Sequence, residues 1–209
     1  PISKNCKKML GPKYALLQED FIKIRDEIES NETPNKTSIN NVFIFFGGSD
    51  NFNLTELSLL ALDKCFGQNV SIDIVLSSKN NNYANIYNIA EQSNVINLYS
   101  DLPSLAPLIN KADLAIGAGG TTNWERSCLG LPAIVITIAE NQERTCNHLN
   151  KNNYIELIGA AGNIELKDII SSIKKIELRN DMLEWSKRLK ELCPGHGSSL
   201  VSECMLNVS

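Results

Sequence analysis

Short apolar segments alternate with helical segments along most of the chain, and this alternation constrains the fold more than any other feature. Apolar or β-branched composition predicts strands at residues 42–46, 71–76, 95–98, 114–116, 133–138 and 154–158, the last at a sheet edge. Strands that alternate with helices form a parallel sheet with helices on both faces, joined by right-handed crossovers. The sequence therefore predicts an α/β fold of the Rossmann-like type.

Helical segments lie between these strands and continue beyond them. In the first segment, Phe21, Ile24 and Ile28 fall at helical spacing. Helices are predicted over residues 19–29, 53–64, 83–92, 102–110, 123–129, 141–150, 166–176, 182–192 and 198–206. The last three of them make a helical C-terminal tail. Asp101 is the expected cap of its helix, and the polar stretch 30–41 is typical of a surface connector or a domain boundary.

Composition and charge exclude several classes of protein. The chain has 209 residues, of which 43% are hydrophobic and 21% charged, as in an ordinary globular protein. Its formal net charge of -4 argues against a nucleic-acid surface. No apolar run approaches the roughly 20 residues of a membrane helix, and the chain start has no signal-peptide pattern. We therefore expect a cytoplasmic protein with no nucleic-acid partner and no membrane span.

The cysteines and histidines give little support for a metal site. The 6 cysteines are scattered without a Cys-x-x-Cys pair, and the chain has only 2 histidines. Buried, reduced thiols are the expected state of these cysteines in a cytoplasmic protein. We expect neither a metal ion nor another cofactor.

The stretch from residue 113 to residue 132 combines a strand, a glycine turn and a helix start. The residues Gly-Ala-Gly-Gly at 117–120 let the backbone turn tightly and approach a ligand. Thr121 and Thr122 offer hydroxyls that can cap the next helix, and Gly130 stands where that helix would stop. A helix start with free N–H groups attracts phosphate. Glu125, in the first turn, is placed to accept hydrogen bonds from a sugar diol beside it.

A second glycine turn lies upstream, at Gly47-Gly48-Ser49-Asp50, again directly after an apolar strand. One glycine turn in an α/β protein often binds nothing. Two turns that each end a strand indicate a ligand, because ligands bind outside the carboxyl ends of parallel strands. The dinucleotide signature Gly-x-Gly-x-x-Gly is not met and a Walker lysine motif is absent, so NAD binding and ATP hydrolysis are disfavoured.

Together these two motifs resemble the C-terminal half of a family of nucleotide-sugar hydrolases. This family comprises the UDP-2,4-diacetamido-2,4,6-trideoxy-β-L-altropyranose hydrolase of pseudaminic acid biosynthesis and its spore-coat polysaccharide relatives. It is similar in turn to the peptidoglycan N-acetylglucosaminyl transferase of GT-B fold. The resemblance runs in order through most of the chain, including Leu10-Gly-Pro-Lys-Tyr-Ala-Leu-Leu17 near the start and Gly195-His-Gly near the end.

The resemblance implies a site for UDP or a UDP-sugar in this half. It places the diphosphate at the two glycine turns, the ribose at Glu125, and the sugar or phosphate near Asn141 and Gln142, with uracil read by the backbone near residues 137–139. The predicted binding residues are Gly47, Gly48, Ser49, Asp50, Asn53, Gly117, Ala118, Gly119, Gly120, Thr121, Thr122, Glu125, Asn141 and Gln142.

The resemblance also implies that the catalytic base lies elsewhere. In the family, a histidine near the start of an N-terminal domain is the general base, and no matching segment is present in this sequence. We therefore predict that residues 1–41 are a linker and helix from the end of a missing N-terminal domain, and that residues 42–209 bind the nucleotide sugar. No residue of this chain is predicted to be catalytic.

Several side chains near the motifs have two interpretations. Asp50 is either a ligand or second base, or a turn residue that bonds its own backbone. Trp124 is either packed in the core or a stacking platform for a base. Arg126 and Arg144 either pair with phosphate or belong to a solvated or salt-bridged surface. His148 is either exposed or turned to the cleft, and His196 is expected to be solvated.

The predicted function is the UDP-sugar-binding part of a hydrolase in surface or flagellar glycan biosynthesis. Water attacks the anomeric carbon of the sugar and UDP leaves. Two alternatives remain open. A GT-B glycosyltransferase would use the same site with an alcohol in place of water, and a nucleotide-binding module would use it without catalysis.

Overall fold

The computed structural model describes residues 8–30 and 38–206, which form one parallel sheet with helices on both faces. The strands are β1 (Asn41–Phe45), β2 (Ser71–Val75), β3 (Ile96–Tyr99), β4 (Leu114–Ala118), β5 (Ala133–Thr137) and β6 (Glu156–Ala160). The helices are α1 (Glu19–Ser30), α2 (Leu54–Phe66), α3 (Tyr83–Glu91), α4 (Ala106–Lys111), α5 (Thr122–Leu129), α6 (Glu140–Lys151), α7 (Leu166–Glu177), α8 (Met182–Leu192) and α9 (Gly197–Leu206).

The sheet has the strand order β3-β2-β1-β4-β5-β6, and every neighbouring pair is parallel. Ile44 at the centre of β1 pairs with Ile74 of β2 on one side and with Ile116 of β4 on the other. The order runs outward in both directions from the pair β1–β4. This is the Rossmann topology, and the reversal point lies between β1 and β4.

One face of the sheet is covered by α2, α3 and α7. Val42 and Ile44 of β1 point to this face and are fully buried, together with Leu62 of α2, Ile86 of α3 and Ile173 of α7. The central strands are apolar on both faces, which is why their sequences are nearly continuous hydrophobic runs.

The other face is covered by α1, α4, α5 and α6. Phe43 of β1 and Val135 of β5 point to it and pack with Phe21 of α1, Ile109 of α4 and Leu149 of α6. Helix α1 therefore belongs to the packed sheet domain, although it precedes the first strand.

Arg25 fastens α1 to the rest of this layer. Its guanidinium donates hydrogen bonds to the carbonyls of Cys128 at 2.7 Å and Lys190 at 3.1 Å. These carbonyls lie at the carboxyl ends of α5 and α8, where helices leave acceptors without intrahelical partners. A cation at this position also complements the negative ends of both helix dipoles.

The secondary structure follows the sequence predictions closely, with one exception. The helix predicted to begin after Asp101 begins only at Ala106. Asp101 has φ 53°, a left-handed backbone conformation, so the residue turns the chain and the prediction that it caps the helix is wrong. The predicted connector falls mainly on residues 31–37, which lie outside the described residues.

None of the described helices has the length and apolar character needed to cross a bilayer.

Candidate functional site

The two glycine turns lie side by side at the reversal point of the sheet. The first turn follows β1 and the second follows β4, and these strands are neighbours, with Phe45 paired to Gly117 at their carboxyl ends. Loops that leave two adjacent strands in opposite directions open a crevice between them, and this is where open α/β sheets bind ligands. The structure thus brings together at one edge the two motifs that are about 70 residues apart in the sequence.

The loop after β1 has an open tip. Gly47 has φ 86°, a conformation that favours glycine, and a Cβ added to Gly48 would meet no heavy atom within 4 Å. Gly48 and Ser49 are exposed. The side chain of Asn80, in the loop after β2, donates a hydrogen bond to the carbonyl of Ser49. Asn80 was not among the predicted site residues, because nothing in the sequence connects the two loops.

Asp50 and Asn53 join this loop to α2. Both carboxylate oxygens of Asp50 are occupied, since they accept the N–H groups of Leu54 and Thr55 at 2.9 Å each. Asp50 is 4% exposed, so the structure supports the interpretation that it is a turn residue and not a base. Asn53 has a left-handed backbone, and its side-chain nitrogen donates to Glu56.

The loop after β4 contains glycines that the protein itself requires. A Cβ on Gly117 would lie 2.4 Å from the carbonyl oxygen of Phe45, and one on Gly119 would lie 2.3 Å from the sulfur of Cys146. Gly120 is partly exposed and has more room. Close packing therefore explains Gly117 and Gly119, whereas a Cβ on Gly48 would meet open space and one on Gly120 would make only an ordinary contact with Gln142.

Thr121 and Thr122 lie at the start of α5, as predicted, but Thr121 does not cap it. Its side chain forms no capping hydrogen bond. The N–H groups of Asn123 and Trp124 instead donate to the carbonyls of Gly120 and Thr121, at 3.1 and 2.9 Å. The predicted end of the helix is confirmed, because Gly130 takes the left-handed conformation there.

Glu125 is a half-buried carboxylate in the first turn of α5. Burial raises the pKa of Glu125, while the nearby charge of Arg126 and a hydrogen bond with Thr122 act in the opposite direction. A partly desolvated carboxylate gains from further hydrogen-bond donors that replace the lost water. A sugar diol supplies two such donors.

The loop after β5 adds a third wall. Gln142 accepts the N–H of Ile138 at 3.0 Å, which holds its side chain against Gly120. The amide nitrogen of Gln142 lies 3.6 Å from the position of a Cβ on Gly120. Asn141 is exposed beside it at the start of α6. Gln142 therefore lies against Gly120. Both are predicted binding residues, but the sequence did not predict that they contact each other.

The sequence profile of the glycosyltransferase family 28 C-terminal domain matches residues 42–190. The chain belongs to this family.

Two curated relatives of the family 28 domain agree with the resemblance seen in its sequence. The UDP-2,4-diacetamido-2,4,6-trideoxy-beta-L-altropyranose hydrolase of Campylobacter jejuni is 31% identical over 150 residues, which cover 71% of this chain and 50% of that protein. The spore coat polysaccharide biosynthesis protein SpsG of Bacillus subtilis is 26% identical over 145 residues, which cover 69% of this chain and 41% of that protein. The chain spans between 28% and 50% of the length of the curated relatives it matches.

Solved structures show the same fold. The spinosyn rhamnosyltransferase SpnG, complexed with thymidine diphosphate, matches 80% of this chain and 45% of its own, with a TM-score of 0.61 and 18% identity. MurG of Acinetobacter baumannii matches 82% of this chain and 53% of its own, with a TM-score of 0.62 and 16% identity. The predicted Rossmann-like fold, the C-terminal half of a GT-B architecture with a helical tail, is confirmed.

Beneath its second glycine turn, this chain has a buried polar cluster that the sequence interpretation did not predict. Arg126 donates to the carbonyl of Ala118 at 3.0 Å and to the side-chain oxygen of Asn123 at 2.5 Å. Asn123 in turn contacts the sulfur of Cys146 at 3.7 Å, and that sulfur lies 3.5 Å from the carbonyl of Gly119. The interpretation of Arg126 as a surface residue is wrong, since it is only 2% exposed.

A faint signal for this cluster existed in the sequence. Asn123, Arg126, Ser127 and Gly130 recur at the spacing of one helix face, and all four are buried. A charged residue on such a helix face can be predicted to be buried only when other elements are known to cover that face. That information comes from α6 and α8, which approach α5 in space and not in sequence.

The structure also decides the surroundings of the remaining candidates, Trp124, Arg144, His148 and His196. Trp124 packs against the core formed with α1 and α4, in agreement with its interpretation as a packed residue. Arg144, His148 and His196 are exposed. A groove of about 850 Å³ runs between residues 9–15 and the helices α5 and α6, with Trp124 and His148 in its wall. No group of three potential metal ligands occurs among the residues that the structure describes.

Proposed function

We propose that this chain is the UDP-sugar-binding domain of a nucleotide-sugar hydrolase in surface or flagellar glycan biosynthesis. The single observation that carries the proposal is the arrangement of the two glycine turns. They follow β1 and β4, the two strands at the reversal point of the sheet, so both face one crevice. The match to the Campylobacter hydrolase, 31% identical, supports hydrolysis as the reaction.

In this proposal the two turns bind the diphosphate through their backbone. The first N–H groups of a helix have no intrahelical partners, and together with the helix dipole they attract anions. Those of Asn123 and Trp124 are already used within the turn. The groups that remain for phosphate oxygens are therefore the preceding N–H groups of residues 120–122, with Gly48 and Ser49 on the opposite side.

Glu125 and Gln142 complete the proposed site. The carboxylate of Glu125 accepts hydrogen bonds from the ribose hydroxyls, which compensates for its partial desolvation. The nitrogen of Gln142 donates to the sugar or to the β-phosphate. Asp50 contributes by holding the first loop on α2, because each of its carboxylate oxygens accepts a backbone N–H at the start of that helix.

The role of this half in catalysis is to stabilise the leaving group. Water attacks the anomeric carbon, the bond from that carbon to the β-phosphate oxygen breaks, and UDP departs with the electron pair. Backbone donors aimed at the developing negative charge lower the barrier of such a step. The proton of the attacking water goes to a base, which we place in an N-terminal domain outside this chain, as the family resemblance implies.

Calorimetry with UDP, ADP and CMP tests the binding part of the proposal. We expect UDP to bind, and ADP and CMP to bind more weakly by at least about tenfold, a free-energy difference of about 1.4 kcal/mol. Equal affinity for all three, or no binding, would contradict a UDP site.

A glycosyltransferase is the second candidate. It is supported by the match to the glycosyltransferase family 28 domain and by the fold that this chain shares with SpnG and MurG. The distinguishing measurement uses a protein that contains both domains. A hydrolase releases UDP and free sugar from a UDP-sugar without any added alcohol, whereas a transferase needs an acceptor. A domain that binds UDP and shows neither reaction in that form would be a binding module.

A further inference from the structure

Arg126 is a buried cation with incomplete hydrogen bonding. It is 2% exposed, and its Nη2 atom donates to the carbonyl of Ala118 and to the side chain of Asn123. Within the described part of the chain, its Nε and Nη1 atoms have no hydrogen-bond partner. Among residues 8–30 and 38–206, no carboxylate forms an ion pair with it.

Such an arrangement is costly for the protein without a ligand. A buried charge that lacks an ion pair and full hydrogen bonding destabilises the folded state, and replacing it by an apolar side chain is often neutral or stabilising. Burial lowers the pKa of Arg126 to about 10, so the guanidinium still carries its charge at neutral pH. Glu125 is adjacent in sequence and its charge acts on Arg126, but the two side chains form no ion pair in the described part of the chain.

The position of the Arg126 guanidinium indicates which part of the site its charge acts on. Its two acceptors lie on either side of residues 119–122, since Ala118 is the last residue of β4 and Asn123 lies in the first turn of α5. Its Nη1 atom lies 2.8 Å from the position that a Cβ on Gly117 would occupy. The charge therefore lies beneath the turn between β4 and α5, on the protein side of the crevice.

We infer that Arg126 is a positioning residue whose buried charge is balanced by the diphosphate of the ligand on the other side of the turn. This inference rests on the proposed function, since it assumes an anion at that turn. Arg126 does not touch the ligand. It acts through its electric field, which is weakly screened in the interior, and through the bonds that hold the two flanks of the turn.

This role makes affinity depend on the charge of the ligand. A trianionic diphosphate such as UDP gains more from a buried cation than a monophosphate, which carries at most about two negative charges, and a neutral nucleoside gains nothing. We therefore expect the binding preference UDP over UMP over uridine to be steeper in the wild type than in a variant without the charge.

The test compares Arg126→Met, which removes the charge and keeps much of the volume, with Arg126→Lys, which keeps a charge. For Arg126→Met we expect a melting temperature without ligand at least equal to that of the wild type. We expect its affinity for UDP to fall about tenfold or more, its affinity for uridine to stay unchanged, and Arg126→Lys to recover part of the loss. Arg188→Met, on α8 and half-exposed, is the matched control and should leave UDP affinity unchanged.

Inorganic pyrophosphate, as a second probe, separates failure of the inference from failure of the proposed function. If the wild type binds pyrophosphate but not UDP, the proposed UDP site is wrong. The inference about Arg126 then stands if Arg126→Met binds pyrophosphate more weakly than the wild type, and it is overturned if the two bind equally. If the wild type binds UDP and Arg126→Met binds it equally well, the inference alone is overturned. A lower melting temperature of Arg126→Met with unchanged affinity would make Arg126 a structural tie between β4 and α5. If the wild type binds neither probe, both are overturned.

Discussion

The glycines of the two turns are present for two different physical reasons. Gly117 and Gly119 pack so closely against Phe45 and Cys146 that a methyl group would collide with them. Gly48 has open space in the position of a side chain, and Gly47 has a backbone conformation that other residues adopt only with strain. The first pair is required by close packing, and the second pair leaves open space at the loop tip, where we propose that the ligand binds.

At the residue scale, the sharpest prediction concerns Glu125. Glu125→Gln should weaken UDP binding by about 10- to 100-fold, because a hydrogen bond to a charged group contributes about 1.5–3 kcal/mol. Calorimetry measures this loss. Glu143→Gln, an exposed carboxylate in the first turn of α6, is the control and should bind UDP as the wild type does. Unchanged affinity of Glu125→Gln would remove Glu125 from the site.

The same substitution should change the pH dependence of stability. Burial raises the pKa of Glu125 above its ordinary value of 4.5, so the folded state disfavours the carboxylate. The stability contributed by the protonated group is complete below that ordinary value and is lost as pH rises through the raised pKa. The neutral Gln does not lose it. Urea unfolding should therefore show that the free energy of unfolding of Glu125→Gln increases relative to the wild type as the pH rises above 4.5.

At the element scale, α5 is held from several sides. Helices α1, α4 and α8 all pack against it, and Arg25 bonds the carbonyl of Cys128 near its end. Its start follows directly from β4, at the reversal point of the sheet. A helix start that is fixed in this way presents its N–H groups to a ligand without reorganisation when the ligand binds.

The start of α2 gives the prediction at this scale. Asp50→Ala should lower the free energy of unfolding by about 1–2 kcal/mol, because both of its oxygens accept N–H groups at the helix start. Asp50→Asn keeps one acceptor oxygen and should lose less. Urea unfolding measures both, with Asn51→Ala, exposed in the same loop, as the control. Loss of UDP binding with unchanged stability would show instead that Asp50 is a ligand.

At the scale of the whole molecule, the crevice is a consequence of strand order. Residues 46–53 and 119–122 lie side by side because β1 and β4 are neighbours, and residues 138–142 lie next to them because β5 follows β4 in the sheet. The opposite edge of the sheet has its own contacts. There Asp113 accepts the N–H groups of Asn40 and Asn41 at 2.9 Å each and ties the start of β1 to the start of β4.

Hydrogen exchange shows whether the ligand binds at the carboxyl ends or at the amino ends of the strands. Saturating UDP should slow amide exchange in residues 46–53, 119–122 and 138–142 together, because the ligand contacts all three segments in our proposal. Exchange in residues 38–41 and 111–113 should stay the same, since they lie at the other edge. Protection that appears mainly at this second set would move the ligand away from the glycine turns.

The sequence by itself determined the elements and the two motifs. Helical and strand periodicity are local properties, so the strands and most helices were predicted to within a few residues. The helix after Asp101 was placed too early, because its composition did not show the left-handed turn at that residue. The two turns were identified because each carries glycines and hydroxyls after an apolar strand, and their binding of phosphate stays a prediction.

Only the tertiary structure decided which side chains meet. The contact of Gln142 with Gly120, the bond from Asn80 to Ser49, and the enclosure of Arg126 all join segments whose spacing in the sequence carries no information about distance. Burial in particular is a property of the surroundings. The same arginine on an isolated helix would be solvated, and it becomes a buried cation because α5 is enclosed by helices from distant parts of the chain.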